Sequence, residues 1–529
     1  MKPYKIMIKT IIQKIKKKIK QRIYKGHKLL AYITFIPVIL WCLSGIMHPF
    51  MAHFFKPQIK NEWIEPKAID PAKVKVSLQE ILQKEKITTF KNCRFIEMNN
   101  NWFYQIKLRN NSLTYFNTLN GKKMKQGDEK YAQYLAKYFL DDNQSKILKI
   151  EYLTQFDHQY KYVNRYLPVY KITFDRNDNM QVYVETTSSK LATFNPLSRQ
   201  IFIWFFDTFH NWSFLDAITT NEIRITFMII FLGTIILSAL SGIFIYGFFW
   251  KTFKKIQITS ENKNRIHHRK LGLWFSILTI GFAFSGAFHL TKKWSAKPIQ
   301  NMIYEPVLNR NKIKINPIEI AVDKTKFQNL SLIQFQDTIY YRCELKANLK
   351  PSFQDYSKGE KKKKKLAPIP DVFYLNAETN KIIKDLDIEY AEFLAHYFEN
   401  SSFETTTCCE DQTLEETKNC RIDNVELLET KIITDFDSRE YGFVNKRLPV
   451  VKLTYDTPEK ITYFIETATS RIASVVSKSD QIEGYSFAIF HKFLWMDWAG
   501  KPIRDLVMTF AAIALLILTF LGFKLIIKK

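Results

Sequence analysis

His268–His289 reads HRKLGLWFSILTIGFAFSGAFH, an apolar stretch with a histidine at each end and Ser285-Gly286 shortly before the second. His27–His48 reads HKLLAYITFIPVILWCLSGIMH, with the same twenty-one-residue separation and Ser44-Gly45 in the same place. A helix of about 20 residues rises about 30 Å, the thickness of a hydrocarbon layer, so each stretch is long enough to span one. The rest of the chain is organised around these two spans.

Of the 529 residues, 46% are hydrophobic and 15% aromatic, which excludes global disorder. The mean hydropathy is slightly negative, so the apolar residues are concentrated rather than spread. They gather in four segments, 29–50, 222–250, 271–290 and 503–526, each predicted to be a transmembrane helix. The first is not a cleaved signal peptide: it runs too long, holds Pro37 at its middle and has no small-residue cleavage site after it.

Residues 1–28 carry eleven Lys/Arg and no acid, an amphipathic basic segment, and 251–270 carry seven Lys/Arg against Glu261. The positive-inside rule puts both in the cytoplasm, with the Lys528-Lys529 tail. Segments 51–221 and 291–502 then lie outside, in the periplasm of a double-membrane bacterium, and the chain is expected to be a multi-pass inner-membrane protein. Its net charge of +27 calls for membrane lipid as a partner and for no nucleic acid. The run Lys361–Lys365 reads as a solvated loop.

Self-similarity runs through the polar segments. YAQYLAKYF (131–139) returns as YAEFLAHYF (390–398), and YKYVNRYLPVYKITFD (160–175) as YGFVNKRLPVVKLTYD (441–456). The match continues through VETTSSKLA (184–192) and IETATSRIA (465–473) to Phe209-His210 and Phe490-His491. The unit helix, outer domain, interfacial segment, helix is therefore used twice. Two crossings per unit make the copies parallel, with a pseudo-two-fold axis along the membrane normal. KITFD and QVYVETT alternate apolar and polar residues around Asn177-Asp178-Asn179, a hairpin signal, and YAQYLAKYF has helical aromatic spacing. The expected fold is thus a four-helix transmembrane bundle of two parallel repeats, each with an α+β outer domain. The second copy is longer by an insertion holding Cys408, Cys409 and Cys420. In an oxidising compartment a disulfide from Cys408 or Cys409 to Cys420 is favoured over a thiolate metal site.

Ten histidines are present, and six match between copies: His27 with His268, His48 with His289, and His210 with His491. Aromatic rings anchor at membrane interfaces, but Trp, Tyr and Lys do so equally well and do not explain six paired imidazoles. Metal ligation or proton transfer does. Haem suits the pattern better than zinc or copper, because a buried haem takes an imidazole on one or both faces, apolar walls and small residues beside the ring; metal transport would want carboxylates or Cys/His clusters inside the spans, which hold almost none. Ser44-Gly45, Ser241-Gly242 and Ser285-Gly286 supply small residues where a porphyrin could meet a helix, although close helix packing explains them as well. His158 and His396 have no matched partner and read as ordinary domain histidines.

The HRKLGLW start, the Ser-Gly near the helix end, the LPV and TxxS pattern of the outer domain and Phe209-His210-Asn211-Trp212 resemble PepSY-associated transmembrane proteins. The resemblance runs from about residue 22 through nearly the whole chain. That family includes iron-regulated inner-membrane proteins and siderophore-iron reductases that carry haem. The resemblance implies two periplasmic PepSY-like domains and haem b, one to three per chain, passing electrons outward to a ferric siderophore or other iron complex. Carried over, the axial ligands are His48, His289, His210 and His491, with His27 and His268 behind them and His267 competing with His268. Phe493 departs from the pattern where Trp212 stands in the first copy, and Trp495 is a candidate substitute.

Twenty-one helical residues put His27 and His48 about 31 Å apart along the axis, a long gap for electron exchange. No Gly-rich dinucleotide motif follows a strand, so the electron donor is expected to be quinol or a separate reductase. The competing readings are a non-catalytic PepSY-domain binding or sensor module and a transport accessory protein.

Overall fold

The computed structural model describes residues 2–527 apart from 56, 250–258, 260–261, 295–301, 318, 321–322, 324, 347–351, 356–361, 366–369, 405–421 and 437–439. The disulfide expected among Cys408, Cys409 and Cys420 lies outside the described residues.

Among the described residues, four long helices are apolar enough to cross a membrane: α1 (Lys2–Phe54), α5 (Asn221–Phe248), α6 (Lys263–Trp294) and α9 (Lys501–Ile527). They form a ring in which α1 and α6 each pack against both α5 and α9. Large apolar side chains such as Ile36, Trp274 and Ile277 face outward, which only a lipid surrounding makes favourable. The bundle therefore has a basic end, where α1 begins and α6 starts at Lys263, and a domain end, from which the polar segments project.

Five smaller helices belong to the domain end: α2 (Leu78–Lys84), α3 (Gly127–Leu140), α4 (Leu197–His210), α7 (Leu386–Glu404) and α8 (Lys478–Ser486). Eight strands precede α5: β1 (Thr89–Phe90), β2 (Asn92–Met98), β3 (Asn101–Lys107), β4 (Leu113–Asn117), β5 (Ile147–Leu153), β6 (Val169–Phe174), β7 (Gln181–Glu185) and β8 (Lys190–Asn195). After α6 come β9 (Leu308–Asn309), β10 (Phe327–Phe335), β11 (Thr338–Leu345), β12 (Ser352–Asp355), β13 (Lys362–Lys365), β14 (Asp371–Asn376) and β15 (Ile382–Ile383). The last four are β16 (Leu427–Ile433), β17 (Val450–Tyr455), β18 (Thr462–Glu466) and β19 (Arg471–Val476).

All sheets are antiparallel, in the orders β2-β3-β4, β5-β6-β7-β8, β10-β11-β14-β15 and β16-β17-β18-β19. The hairpin expected around Asn177-Asp178-Asn179 is β6–β7, with Asn179 in the left-handed region at φ 46°. Pro168 and Pro449 immediately precede β6 and β17, where a missing N–H costs no ladder bond. Lys362–Lys365 pairs as a strand with Ser352–Asp355 instead of lying in a loop, because strand pairing uses backbone groups and an edge tolerates lysine.

In α3 the buried residues are Tyr131, Ala132, Leu135, Ala136 and Phe139, one helical stripe laid on Ile172, Val182 and Val184 of the second sheet. In α7 the stripe Tyr390, Ala391, Leu394, Ala395 and Phe398 meets Leu453, Tyr463 and Ile465 in the same manner. Each such aromatic or leucine contributes about 1.5–3 kcal/mol of burial. The two outer domains share one core, in which Phe95 and Tyr104 pack with Phe327, Leu330 and Tyr341. Asn92 and Asn329 stitch β2 to β10: Leu332 N–H donates to Asn92 Oδ1 at 2.9 Å and Phe95 N–H to Asn329 Oδ1 at 3.0 Å.

A buried ionic cluster joins the same domains. Glu466 takes Arg447 at 2.5 Å and Lys190 at 2.9 Å, and its side chain is 1% exposed. Arg447 also lies over the Tyr166 ring at 4.7 Å, while Tyr166 Oη donates to the Lys446 carbonyl at 3.0 Å. Burial alone would raise the Glu466 carboxyl, but Lys190 and Arg447 outweigh it and hold it well below the ordinary glutamate range.

Candidate functional site

At the basic end, His27 on α1 and His268 on α6 face each other with ring centres 6.3 Å apart and planes at 50°. His27 Nδ1 lies 3.1 Å from the Ser238 carbonyl and 2.9 Å from the Ser241 hydroxyl, both on α5. His268 Nδ1 lies 3.2 Å from the Leu518 carbonyl on α9. A carbonyl only accepts, so Nδ1 carries the proton in both rings and Nε2 keeps the lone pair. Glycine leaves room beside each ring, since a Cβ at Gly242 would come within 3.3 Å of His27 and one at Gly522 within 3.0 Å of His268. The pair opens into a cavity of about 1050 Å³, which Ala31, Ser238, Ala239, Gly272 and Ser276 help to keep wide. His267 is exposed, because one step along a helix turns a side chain by about 100°.

At the domain end, two segments that do not span bring a second pair together. His210 closes α4, which lies along α1, and His491 closes the π-helical turn Phe487–His491, which lies against α6. Their ring centres are also 6.3 Å apart, with planes at 83°. The Ser44 hydroxyl donates to the Leu40 carbonyl at 2.7 Å and so accepts from His210 Nδ1 at 3.0 Å. The Ser285 hydroxyl donates to the Phe282 carbonyl at 3.2 Å and stands 3.4 Å from His491 Nδ1, from which it can accept. Nε2 is again the nitrogen left for a ligand. Burial first, then the neighbouring His491 ring and Lys293, push His210 down to about 3. Burial, then His289 and Lys492, push His491 to about 4. Both rings are therefore neutral at pH 7, the form that binds a metal.

The indole N–H of Trp41 donates to the His210 carbonyl at 2.9 Å, and its ring stacks on Trp212 at 4.9 Å. On the other side Phe282 stacks on Phe493 at 5.4 Å. Trp212 and Phe493 share the left-handed backbone, at φ 55° and 50°, so Phe493 itself stands where Trp212 stands and Trp495 is not its replacement.

His48 and His289 sit one aromatic layer farther out. His48 lies 6.0 Å from the Phe206 ring, which stacks on His210 at 4.4 Å. His289 stacks on Phe487 at 4.5 Å, and Phe487 on His491 at 4.5 Å. His289 Nδ1 also bonds Glu483 at 2.8 Å. The facing imidazoles at this end are thus His210 and His491, set inward at the level of Ser44 and Ser285. From His27 to Ser44 is seventeen residues, a helical rise of about 25 Å, so the two pairs are closer than the histidine spacing of either span implies.

The remaining histidines have local partners: His158 with Asp207 at 3.6 Å, His396 with Asp423 at 2.9 Å, and His53 with Asp505 at 2.9 Å, where Lys501 also binds at 2.6 Å. Sequence reading treated Ser44, Ser241 and Ser285 as small residues only; each is a hydrogen-bond partner of a facing histidine. Trp41 and Glu483 carried no signal beyond abundance.

A first-row metal binds imidazole nitrogen at about 2.0–2.1 Å. Adding about 1.1 Å from that nitrogen to the ring centre on each side gives about 6.2–6.4 Å for two rings on one metal. Both pairs meet this separation. Among the described residues no group of three or more His, Cys, Asp or Glu is placed to hold an ion. A family model described as PepSY-associated TM region matches residues 24–349, more than half of the chain. No curated protein matches.

Proposed function

The chain belongs to the PepSY-associated TM region family, and from that premise we propose a membrane electron-transfer protein with two haem b sites, one between His27 and His268 and one between His210 and His491. The observation that carries the proposal is the pair of 6.3 Å ring separations, each with Nδ1 anchored and Nε2 available. His27 with His268 and His210 with His491 would each hold a haem, which when bound would supply reversible one-electron transfer. The chain's part is to orient four imidazoles. The Ser238 and Leu518 carbonyls and the Ser44 hydroxyl set each tautomer, the outer-sphere bonding that fixes a ligand ring.

The chain is read as two parallel copies, a reading supported by the paired contacts His27–Gly242 and His268–Gly522, Ser44–His210 and Ser285–His491. The basic end is read as cytoplasmic and the domains as periplasmic, in an inner membrane. Electrons from quinol or a separate reductase would then leave at the domain end, toward a ferric siderophore or other iron complex. Phe206 and Phe487, stacked on the outer pair, cover the His210 and His491 rings toward that side.

The absorption spectrum of the purified full-length protein is the direct test. A Soret band with α and β bands that sharpen on dithionite is expected, with about two haems per chain by pyridine haemochrome. A colourless, correctly inserted protein would leave the non-catalytic binding or transport-accessory reading in its place. A finer test fills the inner site. Gly522→Leu drives a side chain into the His268 ring, and Gly242→Leu into His27. Each is expected to remove about half of the haem and to leave the spectrum of the outer site unchanged.

A further inference from the structure

The mouth of the inner cavity carries a charge pattern that the ligand geometry does not use. Lys17, Lys20, Lys25 and Lys28 from α1 and Arg265 and Arg269 from α6 line it, and no Asp or Glu lines it among the described residues. The spacings 17, 20/21, 24/25, 28 and 265, 269 put each set on one helix face, so both helices turn a basic stripe toward the same opening. The deeper wall is mostly apolar, with Val38, Ile235 and Leu515, and the Thr34, Ser276 and Thr279 hydroxyls on it donate to carbonyls of their own helices. Lys25 and Lys28 flank His27 in sequence, and Arg265 and Arg269 flank His268, all within about one helical turn of the facing rings. Lys20 donates to the Phe248 carbonyl at 3.1 Å, farther from the facing rings than those four.

We propose that this mouth is the binding site for the two carboxylate side chains of the inner porphyrin, held chiefly by Lys25, Lys28, Arg265 and Arg269. The inference rests on the haem reading of His27 and His268. A carboxylate directed at the apolar wall would be desolvated without a partner, whereas at the mouth it meets charge-assisted donors. The macrocycle therefore enters with its carboxylate edge toward the basic end. That edge is then the part of the inner cofactor nearest the water, which makes the basic end the side where a donor reaches it.

Haem and its dimethyl ester, whose carboxylates are blocked, separate charge recognition from ligation. Full-length apoprotein in detergent, wild type and Lys25→Gln/Arg265→Gln/Arg269→Gln, is titrated with each and followed by the Soret difference spectrum. The triple variant is expected to bind haem at the inner site at least about tenfold more weakly, while binding the ester as tightly as wild type does. Wild type should itself prefer haem over the ester by a similar factor. Unchanged haem affinity in the variant, or an equal loss for haem and ester, overturns the proposal. If wild type binds neither ligand at His27 and His268, the haem reading itself has failed, a result distinct from either of those.

Discussion

Alanine at His27 or at His268 is expected to abolish one haem and leave the other spectroscopically intact, and alanine at His210 or at His491 to do the converse. The reason is geometric: within each pair the two rings stand 6.3 Å apart, so removing one would leave the proposed group a single imidazole and an empty space where the other ring stood. Haem per chain should fall by about half in each of the four variants, measured by pyridine haemochrome, and a redox titration should lose one of two components. Loss of an outer-sphere partner such as Ser44 should cost less, about 10- to 100-fold in affinity. His48→Ala and His289→Ala are expected to retain both haems, since those rings reach the outer pair only through Phe206 and Phe487. Full haem in His210→Ala and His491→Ala together with its loss in His48→Ala and His289→Ala would falsify the assignment of the outer pair.

The second large effect is expected far from the membrane. Glu466→Gln leaves the buried Arg447 and the half-buried Lys190 against a neutral amide, and removing one partner of a buried ion pair costs about 3–5 kcal/mol. Thermal unfolding followed by near-ultraviolet circular dichroism, or limited proteolysis of the outer domains, should report it. A variant as stable as wild type would show that water or rearrangement compensates the cations. The pH dependence has a definite sign. Because the folded carboxyl is held below its ordinary value of 4.5, its contribution is complete above that pH and is lost as pH falls below it. The same acid titration in Glu466→Gln should lack that component.

Much of the architecture is legible in the chain because it depends on local period and length. Four apolar runs of membrane length become α1, α5, α6 and α9, since a backbone in lipid has no alternative to internal hydrogen bonding. The Asn177-Asp178-Asn179 turn and the Tyr131-to-Phe139 stripe are likewise local signals, readable without knowing what they pack against. The lysine run at 362–365 was misread as a loop because composition is a weak guide to edge strands, whose pairing is made by the backbone.

The sequence by itself determined which histidines belong together in kind: the twenty-one-residue spacing and the matched Phe-His pairs select six imidazoles from ten. Which of them face each other was decided only by tertiary structure. His27 and His268 are 241 positions apart, and His210 and His491 are 281 apart, so no local period relates them. The decisive contacts are also non-local: Ser44 reaches His210, and Gly522 yields space to His268. Helical rise along one span places His48 and His289 at the edge. The recessed ends of α4 and of the Phe487–His491 turn carry His210 and His491 inward to the level of Ser44 and Ser285, and that recession shortens the gap between the two pairs.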